Sequence, residues 1–151
     1  MEARAMRTAA VVFLRILIGG LFLWAGLSKL GSPLQTLATV YSYQIVLPDL
    51  LASLVAAALP WMEILLGAAL LAGIWLPVAT GWTTTLLLFF SVMTAQAWWR
   101  ELPIDCGCVD LSVLHPALAA LTTPGGATLR NLVLLVLTAL LAVLTRKKSA
   151  A

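Results

Sequence analysis

Asp105-Cys106-Gly107-Cys108 is the tetrapeptide with the most chemistry in this chain. Two thiols separated by one glycine can close a small, strained ring, because Gly107 accepts backbone conformations that other residues resist. Strained, exposed disulfides are the readily exchanged ones, so the spacing points to reversible redox chemistry. Two adjacent thiolates also suit a soft ion such as Cu(I) or Hg(II), and that alternative stays open. A purely structural crosslink across one residue closes almost no loop and adds little stability. Asp105 and Asp110 disfavour thiolates, whereas Arg100, Lys29 or Arg130 would favour them at close range. His115, the only histidine, is a candidate proton carrier, although a lone His before Pro116 fits a loop or interfacial position equally well.

Charges inside apolar stretches are the second signal. Arg15 lies about six residues into the first apolar stretch and Glu63 about thirteen into the second. A lone charge in lipid is expensive, so the two are expected to pair or to share a polar cavity; the alternative is that Arg15 snorkels to the nearer headgroups. Pro60 precedes Glu63 by one helical turn and predicts a kink beside the carboxylate. With Trp61 it forms the expected wall of a pocket.

These residues must be positioned by membrane-embedded elements. Of the 151 residues 62% are hydrophobic and 10% charged, against about 45–50% and about 25% in soluble domains. The mean hydropathy is +1.05. Nine Lys/Arg and six Asp/Glu cannot cover a water-facing surface, and the basic residues cluster at the termini, which disfavours nucleic-acid binding despite a pI near 9.2. Two cysteines are too few for a disulfide framework.

Crossing about 30 Å of hydrocarbon takes about 20 apolar residues in a helix. Stretches at about 9–30, 50–76, 78–99 and 129–144 meet that length. The expected fold is an all-α, polytopic four-helix transmembrane bundle forming a single domain over 1–151, with a tight turn marked by Pro77 between the second and third spans. Short interfacial helices are expected at Leu34 to Val40 and His115 to Leu121, the latter separated from the fourth span by a Pro124-Gly125-Gly126 turn. Gly19, Gly20, Gly26, Gly67, Ala68, Ala72 and Gly73 would permit close helix approach. Arg15 and the lack of an Ala-x-Ala site argue for a retained first helix over a cleaved signal sequence.

Orientation follows from the basic ends. Arg4 and Arg7 precede the first span, and Arg146, Lys147 and Lys148 follow the last. An even number of spans places both termini in the cytoplasm by the positive-inside rule. In a bacterial inner membrane the cysteine loop is then periplasmic, where disulfides form and exchange. Trp98 and Trp99 mark the outer interface, and Tyr41 and Tyr43 share that face with the cysteines as candidate roof residues.

Five segments together resemble the MauE/DoxX-like family of four-helix membrane proteins, in its MauE branch. They are Gly20-Leu-Phe-Leu-Trp-Ala-Gly-Leu-Ser-Lys-Leu30, Tyr43-Gln-Ile-Val-Leu-Pro48, Leu59-Pro-Trp-Met-Glu63 with Gly67, Ile104-Asp-Cys-Gly-Cys108, and Arg130-Asn131. The resemblance covers nearly the whole chain. It departs after the cysteines, where Val109-Asp110 replaces the usual aromatic and glycine and a longer insert runs to Gly126. It implies a membrane component associated with methylamine utilisation that works beside a thioredoxin-like envelope protein, forming or transferring disulfides in a client.

The function expected is therefore thiol–disulfide exchange at Cys106 and Cys108, with Cys106 favoured as the attacked sulfur. Electrons would leave to a second soluble partner or to a quinone near Trp24, Lys29, Gln96 and Arg130. The rivals are a soft-metal carrier, for which Met62 and Met93 are the only further soft ligands noted in the spans, and a non-catalytic scaffold for a redox partner.

Overall fold

The structure is a computed structural model that describes residues 2–46, 48–102, 104 and 123–149. Among these residues there are five helices and no strand: α1 (Glu2–Gly31), α2 (Pro33–Ser42), α3 (Asp49–Ala72), α4 (Leu76–Trp99) and α5 (Pro124–Ser149). All but α2 are long and apolar enough to cross a membrane. The chain is thus a multi-pass helical membrane protein, as its composition requires.

The spans alternate in direction, so α2 and the ends of α4 and α5 that flank residues 100–123 share one end of the bundle. The start of α1 and the end of α5 lie at the other. The closest partners are α1 with α3 and α4 with α5. Glycines explain the first pairing. A Cβ on Gly67 would come within 2.7 Å of the Leu23 amide nitrogen and 2.8 Å of the Gly19 carbonyl oxygen. One on Gly26 would meet the Pro60 carbonyl at 2.7 Å. The backbones of α1 and α3 therefore touch with no side chain between them. Gly20 plays no such part, having open space around it, and Ala68 and Ala72 are exposed.

Several element ends differ from the expected ones for identifiable reasons. The turn after α3 is set by Gly73, at φ +73°, and not by Pro77. Its left-handed conformation ends the helix, and its amide donates to the carbonyls of Ala69 and Leu70. Pro77 falls in the first turn of α4, where a missing amide hydrogen costs nothing. Similarly, Pro124-Gly125-Gly126 is the first turn of α5 and not a separate turn. Thr123 precedes it, accepting from the Gly126 amide through its hydroxyl and from the Ala127 amide through its carbonyl. The Leu34–Val40 segment lies within α2, while His115 to Leu121 falls outside the described residues.

The apolar core is built from Leu14, Ile18, Phe22, Leu70, Leu86, Leu87, Leu134 and Leu141, drawn from all four spans. Most buried hydroxyls within the spans are satisfied locally, Thr83 being the exception among the described residues. Thr80, Ser91, Thr94 and Thr138 each donate to the carbonyl four residues earlier. Thr128 also reaches Thr94 at 3.0 Å and ties α5 to α4 near the α2 end.

Candidate functional site

The polar centre of the bundle is an ion pair between Lys29 and Glu63, in place of the Arg15–Glu63 pairing expected from depth along the helices. Lys29 Nζ, from the last turn of α1, donates to both carboxylate oxygens of Glu63 on α3 at 2.7 Å each. The two residues are 8% and 2% exposed. The α1–α3 register makes this possible: Gly26 lies against Pro60 and Gly19 against Gly67, so the helix end bearing Lys29 passes one turn from Glu63 and its long side chain covers the gap. Lys29 also lies 5.7 Å from the Phe90 ring centroid, a cation–π contact with α4.

Arg15 does not pair with Glu63. Its Nε and Nη2 donate to the carbonyls of Leu70 and Leu71, 2.8 Å each, in the last turn of α3. Neither carbonyl has the usual donor four residues on, Leu70 being reached among backbone amides only by that of Gly73 at 3.2 Å, and a cation there also complements the helix dipole. The guanidinium lies over Gly73, where a side chain would occupy its space. Arg15 is thus a helix cap near the end opposite α2, about 11 Å along α3 from Glu63 at 1.5 Å per residue. Arg7 repeats the arrangement one pair over by donating to the Leu144 carbonyl of α5.

Beside Glu63 lies a small cavity of about 30 Å³, lined by Leu21, Phe22, Ala25, Glu63, Leu87, Phe90, Arg130, Asn131 and Leu134. Three of the residues singled out from sequence, Glu63, Arg130 and Asn131, therefore meet at one place, with Lys29 bound to the first. Trp61 does not join them: it is more than half exposed on the outside of α3, while its neighbour Pro60 is buried against Gly26 of α1. Helix α3 runs unbroken through Pro60 from Asp49 to Ala72. Trp24 is likewise exposed on α1, five residues and so about 140° round the helix from buried Lys29, and Gln96 is half-buried on α4. Of the four residues named for a quinone, Arg130 lines this cavity.

At the α2 end, the chain on either side of the cysteine-bearing segment makes contacts with the bundle. Arg100, just past α4, donates to the Gln44 side chain at 2.9 Å and to the Tyr43 carbonyl at 3.4 Å. Gln44 and Glu101 both adopt positive φ, at 51° and 50°, to make these turns. Trp98 packs on Gly125, where a Cβ would lie 3.3 Å from the indole nitrogen. The start of α5 is therefore fixed against the end of α4. Tyr43 is buried, whereas Tyr41 is exposed and donates to Asp49 at 3.1 Å. Partial desolvation, with the Asp49 carboxylate beside it, holds the Tyr41 phenol above its ordinary value. Cys106, Gly107, Cys108 and His115 lie outside the described residues.

No curated protein and no solved structure matches this chain. The family described as methylamine utilisation protein MauE matches residues 7–144, which include nearly all of the four apolar spans, the Lys29–Glu63 pair and the cysteine-bearing segment. The chain belongs to the MauE family.

Proposed function

We propose that this MauE-family membrane protein is a thiol–disulfide oxidoreductase whose working group is the Cys106–Cys108 pair. It is read as an inner-membrane protein with cytoplasmic termini, so that the α2 end and the cysteine segment face the periplasm. A thioredoxin-like partner or a disulfide-containing client supplies the exchanging thiols.

The observation that carries the reading is the set of contacts made by the residues that flank the cysteine-bearing segment in the chain. Arg100 to Gln44 and Tyr43 fixes one flank, and Trp98 on Gly125 fixes the other. A Cys-Gly-Cys element between two fixed helix ends can be offered to a soluble partner repeatedly, without a second domain. Family membership supports the same reading through the association with methylamine utilisation.

The exchange balances as follows. A partner thiolate attacks one sulfur of the Cys106–Cys108 disulfide; that S–S bond breaks, a mixed disulfide forms and the other cysteine leaves as thiolate. The partner's second thiol then attacks the mixed disulfide, leaving the partner oxidised and the cysteine pair reduced by two electrons. Reoxidation needs an acceptor, either a quinone taken to its hydroquinone or the disulfide of a second soluble protein.

Cys106→Ser and Cys108→Ser variants in native membranes test the proposal. One of them should accumulate a covalent adduct that a reductant releases and mass spectrometry identifies. Absence of any adduct from both, together with unchanged function of the double variant, would overturn it.

A further inference from the structure

Asn131 is 2% exposed, and its Nδ2 has no hydrogen-bond partner among the described residues. A buried amide donor left unmatched in a membrane interior is costly, so the group calls for an acceptor. It borders the same cavity as the Glu63 carboxylate. That carboxylate has about four acceptor directions, of which Lys29 uses one on each oxygen. One wall thus offers an unused donor and another offers unused acceptors.

The size of the cavity decides what joins them. A space of about 30 Å³ exceeds the roughly 10–15 Å³ that a single water needs. It is too small for a six-membered ring or a lipid headgroup. We propose that this cavity is an internal water site within the membrane span, in which one or two waters accept from Asn131 Nδ2 and donate to Glu63. The site hydrates the Lys29–Glu63 pair between all four spans and completes hydrogen bonding that the side chains alone leave open. Its charged groups are Glu63 from α3, Lys29 from α1 and Arg130 from α5; α4 contributes Leu87 and Phe90. The proposal stands independently of the thiol chemistry above.

X-ray hydroxyl-radical footprinting of the full chain in nanodiscs, run in oxygen-18 water, tests it, because radicals generated at a bound water label its immediate neighbours. Leu87 and Leu134, 2% and 8% exposed, line the cavity, whereas the fully buried Leu70 and Leu141 do not. The first two should take up labelled oxygen several-fold faster than the second two. Asn131→Leu removes the donor, and Ala25→Val fills the space from α1 with Asn131 intact; each should bring Leu87 and Leu134 down to the level of Leu70 and Leu141. Equal labelling of all four leucines in the unmodified protein would show a dry cavity and overturn the proposal without recourse to a variant. Persistent fast labelling in both folded variants would overturn it as well.

Discussion

Lys29 and Glu63, 34 residues apart, form a two-point ion pair in which a single ammonium bridges both oxygens of a carboxylate 2% exposed to solvent. In lipid such a pair is the cheapest way to hold either charge, because each alone would be an uncompensated ion. It joins α1 to α3, and Phe90 extends the contact to α4.

Removing one partner should therefore cost more than removing both. Lys29→Met leaves a buried carboxylate and is expected to destabilise the protein by about 3–5 kcal/mol. Glu63→Gln leaves a buried ammonium and should do similar damage. Combining the two should recover part of the loss. Thermal unfolding of the three variants in detergent gives the coupling; simple additivity would deny the pair its role.

Arg15 is predicted to act on the end of α3 and not on Glu63. Arg15→Leu removes two donors to the Leu70 and Leu71 carbonyls and should cost on the order of 2 kcal/mol, with hydrogen exchange rising at Gly73 and Ile74. Its effect should add to that of Glu63→Gln, since the two sites share no partner. A strong coupling energy between them would contradict this placement.

The glycines separate sharply. At Gly67 a methyl group would meet backbone atoms of α1 at 2.7 and 2.8 Å, which cannot swing aside. Gly67→Ala should destabilise by about 1–3 kcal/mol. Gly20→Ala meets nothing within 4 Å and should be neutral or stabilising by up to about 1 kcal/mol. Melting temperatures of the two variants decide the matter.

Tyr41 provides a pH signature at the α2 end. Its phenol ionises above its ordinary value because of partial desolvation and the adjacent Asp49 carboxylate. The folded state thus favours the protonated phenol. The associated stability is intact below the unfolded-state value and is lost as pH rises through the folded-state value. Ultraviolet titration in a Tyr43→Phe background, which leaves Tyr41 as the sole tyrosine, should show the Tyr41 transition moving to lower pH on Asp49→Asn. No movement would remove the Asp49 contribution.

Much of the architecture was legible in the sequence because lipid leaves few choices: apolar length fixed the four spans, and the run from Leu34 to Val40 fell inside α2. Helix ends were less legible. Gly73 and Thr123 act through backbone conformation and capping, while Pro77 and Pro124, the more conspicuous residues, sit harmlessly in first turns. Glu63 stood out as a buried charge, but its partner did not. Depth counted along each helix separately matched it with Arg15, whereas pairing depends on the register between helices. That register was encoded in Gly19, Gly26 and Gly67, which set how closely α1 and α3 approach and hence which basic residue comes within reach. Asn131 carries no signal in composition or periodicity, and only the cavity gives its amide a physical meaning.

The central claim concerns two sulfurs, and their oxidation state can be read in place. Sealed, right-side-out cells or vesicles are treated with a membrane-impermeant maleimide, with and without prior impermeant reductant, and labelling of Cys106 and Cys108 is quantified by mass spectrometry. The account predicts little labelling before reduction, labelling of both afterwards, and reversal when the redox partner is restored. Cysteines that label only after the membrane is broken, or that stay reduced throughout turnover, would contradict it.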